Sequence, residues 1–231
     1  MKNYKLQLSL SIIMLSITTS VLAQGNDKLG SWYVYNGFFN FSPKTELFVE
    51  GQWRTYEPIS NNQNVFFRPF FSYNIHPSFQ VGLGQEYHMG YNYTENKEDK
   101  TKNEEFRTTL QAIAKHKVGR VNFQHRYRYE FRFLENTNEQ RARYRLQLGI
   151  PLNAKEMGKG VFFTTIGNEI LLNTKPSLNL SQNRTYAMLG YQITETTHLQ
   201  GGYMKINYSD ATSHNRLQFF ITQKLNFFDN N

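Results

Sequence analysis

The sequence predicts an all-β fold, an antiparallel transmembrane β-barrel of about 10–12 strands, and three observations carry that expectation. Hydrophobic residues recur with period two through almost the whole chain, the mark of strands with one apolar and one polar face. The polar face is dominated by Arg, Glu and Gln and the apolar one by Tyr, Phe and Leu, which suits a lipid-facing wall around a polar interior better than a soluble sandwich. The mean hydropathy of −0.62 accompanies 16% aromatic residues, with 19 Phe and 15 Tyr. Such a chain is nearly polar on average yet too aromatic to be disordered.

The length of 231 residues suits one domain or two small ones. With no cysteine, a disulfide scaffold, cysteine-ligated zinc or iron–sulfur sites, a thiol nucleophile and a lipidated cysteine are excluded. Residues 1–23 read as a cleaved signal peptide. Lys2 and Lys5 supply the positive start, Leu6 to Leu22 is mostly apolar, and Val21-Leu22-Ala23 precedes a cut before Gln24. Polar residues interrupt the apolar run, which falls short of the ~20 clean apolar residues of an anchor helix. Taking Lys2 and Lys5 from the net charge of +8 leaves +6 for residues 24–231, read as a single outer-membrane barrel domain.

Eleven alternating runs follow: 30–41, 45–56, 64–75, 79–92, 104–116, 120–133, 139–150, 161–173, 183–193, 197–208 and 214–227. Each is long enough for a tilted membrane strand of ~9–11 residues. The clearest is 120–133, where Val121, Phe123, Tyr127, Tyr129, Phe131 and Phe133 oppose Arg120, Asn122, Gln124, Arg126, Arg128, Glu130 and Arg132. Short turns at 42–44, 76–78, 117–119 and 194–196 interleave with longer polar loops such as 94–103. That alternation predicts short periplasmic turns and longer extracellular loops, with 151–160 unusually long for its side. Bacterial single-chain barrels have even strand numbers, so ten or twelve is expected over the eleven counted. The aromatic end of the last run, Leu225 to Phe228, resembles the C-terminal signal read by barrel-assembly machinery.

Carrying the parity along each run assigns an interior. The second run contributes Glu46, Glu50 and Arg54, the third Arg68, and the fourth Glu86 beside His88. The fifth and sixth add Glu105, Arg107, Lys115, Arg120, Arg126, Arg128, Glu130 and Arg132. Later runs supply Glu139, Arg141, Arg143, Arg145, Glu169, Arg184, Arg216 and Lys224. Fourteen of these are basic and seven acidic. Arg141, Arg143 and Arg145 on one face repel unless neutralised, and Glu130 on the neighbouring run, with Glu46 and Glu50 elsewhere on the wall, can do so. The charges can pack a small lumen as an Arg–Glu network, or their basic excess can line a narrow water-filled pore that favours anions.

The segments HRYRYEFRF (125–133) and RARYRLQLGIPL (141–152) resemble the paired arginine strands of a Gram-negative family, the domain-of-unknown-function family twenty-four-ninety, common in Bacteroidetes. Gly30-Ser31-Trp32, Glu50 with Arg54, and Arg68-Pro69 are similar to its earlier pattern, so the resemblance covers nearly all of 29–227. It implies an outer-membrane β-barrel and supplies no activity.

Enzymatic chemistry finds little support. An outer-membrane phospholipase-like, lipid-modifying enzyme needs an outward Ser with an outward His. His116 and His125 face outward by parity, but no Ser accompanies them on those strands. His88 with Glu86 reads as a satisfied luminal hydrogen bond, and no metal-ligand spacing or glycine-rich phosphate loop occurs. The pI near 9.5 does not indicate nucleic acid, because most arginines belong to the interior. Outward aromatics such as Tyr33, Tyr35, Phe41, Trp53, Tyr87, Tyr91 and Phe133 suit interfacial girdles. The expectation is a non-enzymatic outer-membrane barrel of a Gram-negative bacterium, without cofactor, acting as a narrow anion-preferring channel or a filled structural barrel. Its partners would be outer-membrane lipid, lipopolysaccharide, the barrel-assembly machinery and small anionic solutes. A surface receptor or adhesin working through loops 94–103 and 174–182 is the third class.

Overall fold

The computed structural model describes residues 29–94 and 99–228, so the expected signal peptide lies outside the described residues. All eleven alternating runs are strands: β1 (Gly30–Asn40), β2 (Thr45–Thr55), β3 (Asn62–His76), β4 (Phe79–Tyr93), β5 (Lys100–Val118), β6 (Val121–Leu134), β7 (Asn138–Pro151), β8 (Phe162–Lys175), β9 (Asn179–Gln192), β10 (Thr197–Tyr208) and β11 (Ser213–Asn226). Each pairs antiparallel with the next, and β1 pairs with β11 to close the barrel.

The expectation of an even count is therefore corrected. Eleven strands close because β1 and β11 run parallel, in register from Gly30↔Arg216 to Asn40↔Asn226. A parallel ladder satisfies the backbone groups of both edges as an antiparallel one would, so no open edge remains. Side chains reinforce the seam: Asn40 Nδ2 donates to Asn226 Oδ1 at 2.8 Å, Tyr35 Oη donates to Gln223 at 3.2 Å, and Tyr33 stacks on Phe219.

The connections define two rims. One carries 41–44, 77–78, 119–120, 152–161 and 193–196; the other carries 56–61, 94–99, 135–137, 176–178 and 209–212. These are called the turn rim and the loop rim below. The contrast between them is smaller than the sequence suggests, because β5 begins at Lys100 and β8 and β9 extend to Lys175 and from Asn179. Loops 94–103 and 174–182 thus shrink to 94–99 and 176–178.

Polarity is inverted relative to a soluble protein. Phe67, Phe71, Leu110, Tyr127 and Leu189 are exposed on the outer wall, whereas Glu86, Glu130, Arg128 and Arg216 are buried inside. Not every inward residue is polar, however. Trp32, Val34, Tyr186, Met188, Met204 and Ile206 form an apolar cluster on the inner face of β1, β9 and β10, and Phe48, Phe66 and Phe70 are buried on β2 and β3. Inward glycines make room for the rings. A Cβ on Gly84 would sit 2.5 Å from the Phe70 ring, and one on Gly167 2.4 Å from the Tyr186 ring.

Candidate functional site: the charged lumen

Inward parity on β2 to β9 brings the predicted charges together across adjacent strands. Glu50, Arg68 and Glu86 sit on β2, β3 and β4; Arg68 donates to both carboxylates at 2.7 Å. Glu86 also accepts from Arg107 on β5 at 2.7 Å. Arg107 and Arg132 share Glu105, and Arg132 reaches Glu139 on β7. A second set centres on Glu130, which is fully buried and accepts from Arg141 at 2.6 Å and Arg143 at 2.5 Å. Arg143 continues to Glu169 at 2.9 Å, and Glu169 also receives Arg126 and Arg184. Glu86, Glu105, Glu130 and Glu169 each take two or more guanidinium donors, while Glu50 takes Arg68 and the Gln52 amide. That arrangement compensates ions removed from water far better than isolated pairs would.

Arg54, Arg128 and Arg145 line the lumen but pair with no carboxylate among the described residues. A glutamine amide holds each instead. Arg54 Nε donates to Gln52 Oε1 at 2.7 Å, Arg128 Nε to Gln111 Oε1 at 2.7 Å, and Arg145 Nη2 to Gln124 Oε1 at 2.5 Å. Aromatic faces support two of them: the Arg54 guanidinium lies 3.6 Å from the Trp32 centroid, and that of Arg128 4.8 Å from Phe70. Arg184 approaches Trp32 as well, at 5.3 Å. A neutral amide fixes the geometry of a guanidinium as a carboxylate does, but it leaves the positive charge in place.

One cavity of about 1020 Å³ runs through the lumen. Leu134–Thr137 line it at the loop rim, and Lys115, His198 and Lys224 at the turn rim. Arg54, Arg128 and Arg145 all line this cavity. Arg54 lies near the loop-rim end of β2, Arg128 and Arg145 mid-strand, and Lys115 and Lys224 near the turn rim.

The family assignment follows from the chain itself. Residues 29–218, spanning β1 to β10 and the start of β11, match the model of the family described as protein of unknown function (DUF2490). The chain belongs to this family. No curated protein and no solved structure matches it. Both arginine strands, β6 and β7, and the carboxylates that hold them fall inside the region matched to DUF2490.

Two of the predicted positions differ from expectation. Glu46 lines the cavity but accepts from Gln80 Nε2 at 3.1 Å rather than from an arginine. Arg120 has inward parity, yet β5 and β6 are joined by a turn at Gly119 (φ 58°) and Arg120. Its side chain reaches the rim and donates to the carbonyls of Pro151, Leu152 and Ala154. His88 bonds to Glu86 and Asn64, each at 3.2 Å, and stacks on Phe66. His116 and His125 stack on each other, flanked by Phe123 and Tyr144, with His125 Nδ1 2.8 Å from Tyr144 Oη. The part played by Gln52, Gln111 and Gln124 is what sequence reasoning missed. Signals were present, since Gln124 stands on the polar face of its run and Gln52 two residues before Arg54 on the same strand face.

Proposed function

We propose that this barrel spans the outer membrane of a Gram-negative bacterium and that its lumen is a narrow anion-preferring passage rather than an enzyme site. The outer wall supports the membrane placement. A closed barrel leaves no unpaired strand edge, and a wall of exposed Phe, Leu and Tyr around buried ions suits hydrocarbon outside and water or ions inside.

The observation that carries the channel reading is the trio Arg54, Arg128 and Arg145, held by amides along a cavity that reaches both rims. A lumen built only for stability would place carboxylates against these arginines, as it does at Glu130 and Glu169. Size narrows the range of solutes. Strands of 14 residues, rising ~3.3 Å each at ~40° of tilt, span ~35 Å, so the 1020 Å³ cavity averages ~30 Å² in section. A lumen of that average section suits water and small ions as its solutes. Fixed positive charge in so narrow a passage raises the local anion concentration and repels cations.

Planar-bilayer recording of the refolded protein in a salt gradient tests this. A steady conductance with a reversal potential on the anion-selective side is the expected result. A folded, membrane-inserted barrel that carries no current would favour the rival reading, in which the Arg–Glu network makes a filled structural barrel.

A further inference from the structure

Positive charge in the lumen is concentrated on one patch of the β6–β7 pair. Arg126 stands opposite Arg145, and Arg128 opposite Arg143, so four guanidinium-bearing residues occupy the corners of a two-strand patch. Neighbouring anchor points there are ~5 Å apart across strands and ~7 Å along them. The carboxylates bonded within the patch are Glu130 and Glu169, and both are shared further, with Arg141 and Arg184 respectively. Glu50 faces Arg126 and Arg128 from across the lumen, but it is itself paired with Arg68. Seven guanidinium groups therefore face three carboxylates.

The patch is also unevenly satisfied. Glu130 and Glu169 hold Arg143 from two sides, and Glu169 takes Arg126. Arg128 and Arg145 are oriented by Gln111 and Gln124, and Phe70 packs against the face of Arg128, which leaves donors on its edge uncommitted. Arg126 and Arg128 are both more than nine-tenths buried and line the cavity. Nε of Arg126, Nη1 of Arg128 and Nε of Arg145 have no hydrogen-bond partner. Guanidinium forks match the paired oxygens of an oxyanion, whereas a chloride ion uses neither their planarity nor their second donor. A charge excess of four also favours a doubly charged ligand over a singly charged one, and the narrow lumen requires a small one.

We propose that Arg126, Arg128 and Arg145 form a saturable lumen site for a small doubly charged oxyanion of the phosphate class. Its place in transport rests on the channel reading, whereas binding itself does not. Glu169 orients Arg126 without neutralising the patch, and the amides of Gln111 and Gln124 align the other two guanidinium groups without adding negative charge.

The test uses inorganic phosphate as the probe, above neutral pH, against a chloride current through the full barrel in a planar bilayer. Phosphate should block the chloride current saturably. Arg128→Gln and Arg145→Gln should each raise the half-blocking concentration by about tenfold or more, the scale of one lost charge-assisted hydrogen bond. Lys117→Gln, at the turn rim where it pairs with Glu156 and does not line the cavity, should leave it unchanged. A parent current insensitive to phosphate, or equal block in parent and both arginine variants, would overturn the site while leaving the channel reading intact. Should the parent carry no chloride current, the channel reading fails and the site is judged by phosphorus NMR of the refolded protein in detergent. Phosphate line broadening that disappears in Arg128→Gln supports the site, and its absence in the parent overturns it. Heat-modifiability on gels identifies any variant that has not folded, in which case the other variant is read.

Discussion

Glu130 on β6 lies directly opposite Arg141 on β7 and accepts two hydrogen bonds from it, at 2.8 and 2.6 Å, while its other oxygen takes Arg143 at 2.5 Å. With no solvent exposure, this carboxylate bridges two guanidinium groups that stand two residues apart on one strand face and would otherwise repel. Glu130→Ala should cost ~3–5 kcal/mol, the usual penalty for leaving buried charge without its partner. Urea titration of the refolded barrel, followed by heat-modifiability on gels, measures it; a midpoint equal to the parent's would mean the pair contributes nothing to stability.

The seam offers a purely topological test. Because the chain has no cysteine, a double variant Asn40→Cys, Asn226→Cys carries a single possible disulfide. These residues are register partners whose side chains meet at 2.8 Å, which places their Cα atoms within the range a disulfide spans. Rapid oxidation to a species of altered gel mobility is expected. A barrel of ten strands with β1 displaced would leave the thiols apart and unlinked.

On the outer wall, Leu110 is half exposed near the middle of β5, between Leu83 on β4 and Tyr129 on β6. Leu110→Lys should reduce stability in lipid by ~2–4 kcal/mol, the cost of a lysine near the bilayer midplane. Folding yield into vesicles reads the effect. Undiminished insertion would show that this face does not meet hydrocarbon.

Packing inside the lumen is equally specific. Gly84→Ala drives a methyl group into the Phe70 ring and should destabilise by ~1–3 kcal/mol, as overpacking commonly does. Pairing it with Phe70→Leu should recover most of the loss, because the smaller side chain vacates the contested space. Additive losses in the double variant would argue that the two positions are not in contact.

Much of this was legible in the sequence, for a physical reason: side chains on a strand alternate faces, so parity alone placed Arg126, Arg128, Glu130, Arg141, Arg143, Arg145, Glu169 and Arg184 in the lumen. Parity says nothing about closure, which is why the parallel β1–β11 pair was not foreseen. It also cannot distinguish a strand residue from one just beyond the strand end, and Arg120 leaves the lumen for that reason. Pairing across the lumen depends on curvature and register, so Glu46 proved to face Gln80 rather than an arginine. Parity put Phe66 and Phe70 on the same face as Arg68, but it gave no account of an apolar ring on a mostly polar face; a glycine opposite the ring, such as Gly84 or Gly167, shows where it packs.

Gln111 stands directly opposite Arg128 across the β5–β6 ladder and holds it by one hydrogen bond. Gln111→Glu keeps the shape and the bond but adds the missing negative charge, making Arg128 resemble its carboxylate-held neighbours. The decisive measurement is the reversal potential of this variant beside the parent, in the same bilayer and salt gradient. If amide-held arginines set the selectivity, the parent prefers anions and Gln111→Glu moves clearly toward zero preference at similar conductance. An unchanged reversal potential in a folded, conducting variant would contradict that role for the lumen arginines.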